Sequence, residues 1–203
     1  MSLAKKPIQP ATLDDLDKLP PTWRGEIIDG TLYAFPRPRF AHADIEAFVV
    51  ADLKHPFQSG RGGPGGWWIL VEPGIEVPRA PEFSPDVAGW RREKLPHRPR
   101  KNESITVAPD WVCEVLSPST RSYDLVVKRR FYAEIGVSHL WYIEPDGCVL
   151  IVSKLVDGKW VELGVHGRDE KVRAEPFDAV EIDLAAWWEG VPPENETENE
   201  DPK

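Results

Sequence analysis

One acid interrupts an otherwise apolar run, Trp111-Val112-Cys113-Glu114-Val115-Leu116. A short run rich in β-branched and aromatic residues reads as a buried strand. An isolated charge there costs several kcal/mol, so Glu114 must be paired, protonated or bound to a cation. Asp86 poses the same problem in the shorter strand-like run Pro85-Asp86-Val87-Ala88-Gly89-Trp90. Two strands that aim these carboxylates into a common cleft form an oxygen-rich site suited to Mg²⁺ or Mn²⁺.

The remaining pattern alternates short strands with a few helices. Thr12 caps a short helix that Pro20-Pro21 ends, and the apolar runs around Asp29-Gly30 form a hairpin. His42 to Lys54 reads as the first long helix, with Ile45, Phe48, Val49 and Leu53 on one stripe and acids on the other side. Trp67 to Glu72 and Ile75 to Val77 read as strands. Ser117-Pro118-Ser119-Thr120 breaks the Glu114 strand and caps a second long helix, about Ser122 to Ile135, stopped by Gly136. His139 to Ile143 and Val149 to Val152 flank a Pro145-Asp146-Gly147 turn, Lys159 to Leu163 continues a meander, and the remainder to Trp188 is expected to close the sheet. Trp67, Trp68, Trp90, Trp111 and Trp141 fall in strand-like runs and are assigned to the core or a subunit interface.

A length of 203 residues suits one domain, placed at 1–188, followed by an acidic disordered tail at 189–203. That tail holds six acids and one base and so carries five of the nine net negative charges. The overall charge argues against a nucleic-acid binder that uses its whole surface. The loop with Arg91, Arg92, Lys94, Arg98, Arg100 and Lys101 against the single acid Glu93 is different. It either meets phosphates or is a solvated surface loop. Cys113 and Cys148 sit in apolar runs without metal-ligand spacing and read as reduced core thiols. No apolar stretch approaches the roughly 20 residues that span a bilayer, and a cytoplasmic location is expected.

Lys128 lies in the helix after Glu114, where its amine can reach back to the top of the sheet. Two carboxylates with a nearby ammonium suit phosphodiester hydrolysis: a metal polarises the phosphate and acidifies water, and the lysine orients that water or stabilises developing charge. Other classes lack their signatures. There is no Gly-x-Ser-x-Gly elbow, and Gly60 to Gly66 lacks the Lys-Ser/Thr of a phosphate-cradling loop. Asp110, in a second Pro-Asp pair, would stand about 13 Å from Glu114 along one strand and is read as the strand's entry residue.

Gly25 to Gly30, Pro36 to His42, Pro85-Asp86-Val87, Glu114-Val115-Leu116-Ser117-Pro118-Ser119-Thr120, Asp124 with Lys128 and Tyr132, Gly136-Val137 and Trp141 together resemble the Uma-type family of endonucleases. That family is grouped with the PD-(D/E)XK restriction-endonuclease-like superfamily. The resemblance implies an α/β restriction-endonuclease-like core, a mixed central sheet with flanking helices, to which the meander is added. It further implies Mg²⁺ held by Asp86 and Glu114, with Mn²⁺ as a substitute, and DNA as the substrate. Leu116 stands where the superfamily motif has lysine, and in this family Lys128 takes that part. Glu26 resembles an acid that supplements the metal site, with a surface acid on the hairpin as the alternative. His42 is either a helix-start residue or a phosphate contact or proton relay. The expected activity is a metal-dependent DNA endonuclease acting as a homodimer. The alternative is a nuclease-fold binding or regulatory module without turnover.

Overall fold

The runs identified above pair as strands in a computed structural model that describes residues 9–37, 40–100 and 103–189. In chain order the strands are β1 Trp23–Ile28, β2 Thr31–Pro36, β3 Trp67–Val71, β4 Ile75–Val77, β5 Ala80–Phe83 and β6 Val87–Arg91. They continue as β7 Trp111–Val115, β8 His139–Glu144, β9 Val149–Val156, β10 Lys159–His166, β11 Lys171–Val172 and β12 Ile182–Asp183. The helices are α1 Leu13–Asp17, α2 Phe40–Leu53 and α3 Arg129–Glu134. Among the described residues no helix is long and apolar enough to cross a membrane. Lys101 and, apart from Glu189, the acidic tail lie outside the described residues.

The chain divides into two compact units interleaved in sequence. The smaller comprises Met1–Arg37, Gly74–Ser84 and Pro99–Ala108. In it, Thr12 and Asp15 close a capping box at the start of α1, and a four-stranded sheet runs in the order β2-β1-β5-β4. The β1–β2 turn places Asp29 at φ 51° and Gly30 at φ 73°. Two consecutive left-handed residues are what a two-residue type I′ turn needs.

The larger unit comprises Pro38–Pro73, Pro85–Arg98 and Pro109–Lys203 and contains a six-stranded sheet in the order β10-β9-β8-β7-β6-β3. β7 and β8 run parallel while the other neighbours are antiparallel, so this is a mixed sheet. A parallel pair needs a crossover. Here it is a π-helical turn, Tyr123–Lys128, continued directly by α3. β8, β9 and β10 form the meander. Side chains alternate across a strand. Trp111, Cys113 and Val115 of β7 join Ile45, Val49 and Leu53 of α2 in the main core, which leaves Val112 and Glu114 for the opposite face. The thiols of Cys113 and Cys148 are both free and buried, and burial pushes the Cys113 thiol well above its usual range.

The segment after β10 does not extend the large sheet as the sequence suggests. β11 and β12 pair only with each other, and a 3₁₀ helix, Leu184–Trp188, follows. The weak alternation there reflects side chains that plug the core instead of lining a strand. Phe177 is the clearest case, with its ring centroid 4.8 to 5.6 Å from those of Phe57, Trp67, Trp111 and Trp141. Removing a fully buried phenyl group leaves a cavity that its stiff indole neighbours cannot fill. Phe177→Ala is therefore expected to lower stability by about 3–5 kcal/mol in a urea titration. A loss below about 1 kcal/mol would show that this segment does not fill the core.

Candidate functional site

Glu114 is fully buried at 0% exposure. Its carboxylate answers the demand for a counter-charge with a lysine, since Lys128 Nζ stands 2.8 Å from Glu114 Oε1 at 1% side-chain exposure. The Tyr132 hydroxyl donates to the same oxygen, and Asp124 Oδ1 lies 3.8 Å from the ammonium on its other side. Lys128 is the last residue of the π-helical turn, whose extra residue per turn brings Tyr123, Asp124 and Lys128 inward. Tyr132, four residues on, then reaches Glu114 from α3. The Tyr142 hydroxyl on β8 donates to the Asp124 carbonyl at 2.8 Å. Burial, reinforced by the Glu114 charge, raises the Tyr142 phenol well above its usual range.

Asp86 directly precedes β6. The antiparallel register pairs Val87 with Cys113, so one further step puts Asp86 across from Glu114. Asp86 Oδ2 accepts the Val115 amide at 2.8 Å and stands 3.1 Å from His42 Nε2. On the other edge of the imidazole, Nδ1 lies 3.0 Å from Glu46 Oε1. That contact has ion-pair distance without hydrogen-bond alignment. His42 and Glu46 are one helical turn apart on α2, in the buried stripe with Ile45, Val49 and Leu53. Burial opposes a charge on His42, but the Asp86 and Glu46 carboxylates outweigh it and raise the imidazole to about 10. Burial also raises the Glu46 carboxyl.

Of the carboxylates that the sequence groups together, Glu114 stands beside Lys128 and Asp86 beside His42. Among the described residues, the ligand atoms of His42, Glu46 and Asp86 all lie within 4.8 Å of one another, and Glu114 is not in this group. Bonds of about 2.0–2.2 Å put cis ligands about 3 Å apart and trans ligands about 4.2 Å apart on a small divalent ion. The 3.1 Å between His42 Nε2 and Asp86 Oδ2 is such a cis edge, so these residues fit a divalent cation.

The other sequence candidates have their own surroundings. Glu26 is a buried residue of β1 in the smaller unit, opposite Tyr33. Burial there, with the charges of Glu26 and Glu76, raises the Glu82 carboxyl. Arg91, Arg92 and Arg98 are exposed, and their guanidinium groups lie over Trp67 and Trp68 at 4.3 to 4.7 Å from the ring centroids. They stand at the end of β6 remote from Asp86, roughly 17 Å away along five residues of strand. Arg100, in the smaller unit, has its Nε 3.9 Å from Glu103. Asp110 accepts the Arg91 amide at 2.8 Å and pairs with Lys94 at 3.4 Å, so it anchors the start of β7. Sequence reasoning assigned no role to Glu46, Asp124 or Tyr132. Glu46 was legible as the fourth residue after His42. The other two were legible in the same way, since they stand four residues before and four residues after Lys128.

Two consequences can be measured in metal-chelated protein. Lys128→Ala leaves Glu114 as a buried charge without its closest cation, a loss expected to cost about 3–5 kcal/mol by urea titration. A cost under about 1 kcal/mol would mean that the pair is solvated. His42 is raised from 6.5 to about 10, so its contribution is complete below pH 6.5 and is lost as pH rises through 10. The stability advantage of the parent protein over His42→Gln should shrink across that window, and an advantage that grew with pH would contradict the assignment.

The fold and the chain itself both have relatives. A crystal structure described as a "putative nuclease belonging to DUF820", from Anabaena variabilis ATCC 29413, superposes with a TM-score of 0.66 at 23% identity, covering 89% of this chain and 98% of that one. At that identity the likeness establishes the mixed α/β fold. No curated protein matches. The family model Uma2, described as "Putative restriction endonuclease", matches residues 12–185. That span takes in β1 to β12 and both halves of the ionisable cluster, and the chain belongs to the Uma2 family.

Proposed function

We propose that this protein is a divalent-cation-dependent endonuclease that hydrolyses DNA phosphodiester bonds at the ends of β6 and β7. The observation that carries this reading is the buried Lys128–Glu114 pair, 2.8 Å apart, across the strand register from Asp86. Asp86 and Glu114 are the carboxylates that would hold the ion, Mg²⁺ with Mn²⁺ as its substitute. When bound, that ion supplies charge neutralisation at the phosphate and a more acidic water.

The chain's own groups do the rest. The Val115 amide fixes the Asp86 carboxylate, so Asp86 needs little reorganisation. Tyr132 holds Glu114 by its hydroxyl. Lys128 Nζ, between Glu114 and Asp124, provides a fixed positive charge where negative charge develops on the phosphoryl oxygens, and it orients the attacking water. Arg91, Arg92, Arg98, Arg100 and Lys101 are proposed to meet backbone phosphates, which would make binding salt-dependent. Cutting both strands of a duplex needs two such sites, which a homodimer provides.

Incubation with supercoiled plasmid and single-stranded DNA in Mg²⁺ or Mn²⁺ tests the reading. Cleavage is expected, and Glu114→Gln and Lys128→Ala, each checked for folding by circular dichroism, should lower the rate by about 100-fold or more. Absence of cleavage by the parent protein in both metals, or full activity in both variants, would leave a nuclease fold used for binding alone. Cleavage confined to an RNA arm of the same assay would change the substrate while keeping the chemistry.

A further inference from the structure

The imidazole of His42 sits between two carboxylates in a geometry that a helix-capping or surface histidine has no reason to adopt. Nδ1 faces Glu46 at 3.0 Å and Nε2 faces Asp86 at 3.1 Å, and all three residues are buried. A metal-bound histidine commonly has its second ring nitrogen held by a carboxylate, which fixes the tautomer and leaves the other lone pair for the ion. Glu46, one helical turn after His42 with Oε1 3.0 Å from Nδ1, is the carboxylate within reach of that part. The Nε2–Oδ2 separation matches the cis edge of a small coordination sphere.

We infer that His42 Nε2 and Asp86 are ligands of one divalent cation, with Glu46 orienting the ring, and that the site takes a first-row transition ion in preference to Mg²⁺. The inference rests on the reading that Asp86 holds the ion. It goes beyond that reading in adding a nitrogen donor, which changes the metal. Mg²⁺ favours oxygen ligands and retains water, whereas imidazole binds later first-row ions progressively more strongly. A purely carboxylate site would show little such preference. Glu46 is a positioning residue here, acting through His42.

The test reads metal binding and needs no turnover. Pulsed electron paramagnetic resonance of the parent protein loaded with Mn²⁺ should show ¹⁴N coupling from a directly bound imidazole, and His42→Gln should remove it. Calorimetric titration with Co²⁺ should show one ion per chain, bound at least about tenfold more tightly than Mg²⁺. Asp86→Asn and His42→Gln should each weaken Co²⁺ by at least about tenfold, and Glu46→Gln by about 10–100-fold. Absence of nitrogen coupling in the parent protein overturns the inference, as does equal affinity for Co²⁺ and Mg²⁺. The nuclease reading fails separately: nitrogen coupling without DNA cleavage leaves this site standing, whereas cleavage without nitrogen coupling leaves the nuclease and removes the histidine ligand.

Discussion

Glu114 lies one residue from the end of the parallel β7–β8 pairing in the six-stranded sheet, and its charge cannot be left without a counter-ion. Lys128 supplies that charge from 1% exposure, and bringing an ammonium this deep dictates the shape of the crossover from β7 to β8. The crossover helix, a π-helical turn Tyr123–Lys128 continued by α3, carries Asp124, Lys128 and Tyr132 at four-residue steps, so that they share one face and meet at one carboxylate. A buried pair of this kind is poor evidence for extra stability, because desolvation offsets its attraction. What it does is fix the position of the two groups.

The end of β7 therefore carries charge on two sides. One side holds Glu114, Lys128 and Asp124 with the hydroxyl of Tyr132. The other holds Asp86, His42 and Glu46, reached from α2. The Val115 amide ties the two together, since it follows Glu114 in the chain and donates to Asp86. At the start of β7 the surroundings are quite different: Asp110 anchors the Arg91 amide, and arginines stack on Trp67 and Trp68. The buried ionisable cluster and the exposed positive surface thus occupy opposite ends of the same strands.

Much of this was legible in the residues. The buried acid in an apolar strand marked Glu114, Asp29-Gly30 marked the hairpin, and Gly136 marked the end of the crossover helix. What escaped did so for identifiable reasons. The smaller unit is assembled from three separate stretches, which no composition shift announces. Residues 167–188 alternate weakly because Phe177 and Trp187 fill the core from loop and 3₁₀ segments, so a strand pattern was a false lead. Glu46 looks like one more acid on a helix until the stripe is read as His42, Ile45, Glu46, Val49 and Leu53. Its neighbour His42 carried two open readings, and only the facing carboxylates distinguish them.

The most direct measurement is diffraction from crystals soaked in Mn²⁺, collected at a wavelength where manganese scatters anomalously. A single strong peak within about 2.3 Å of an Asp86 carboxylate oxygen, on the side of β7 where Glu114 and Lys128 converge, is the expected result. A peak elsewhere, or none at an ion concentration that supports DNA cleavage, would contradict a metal-dependent site at this end of the sheet.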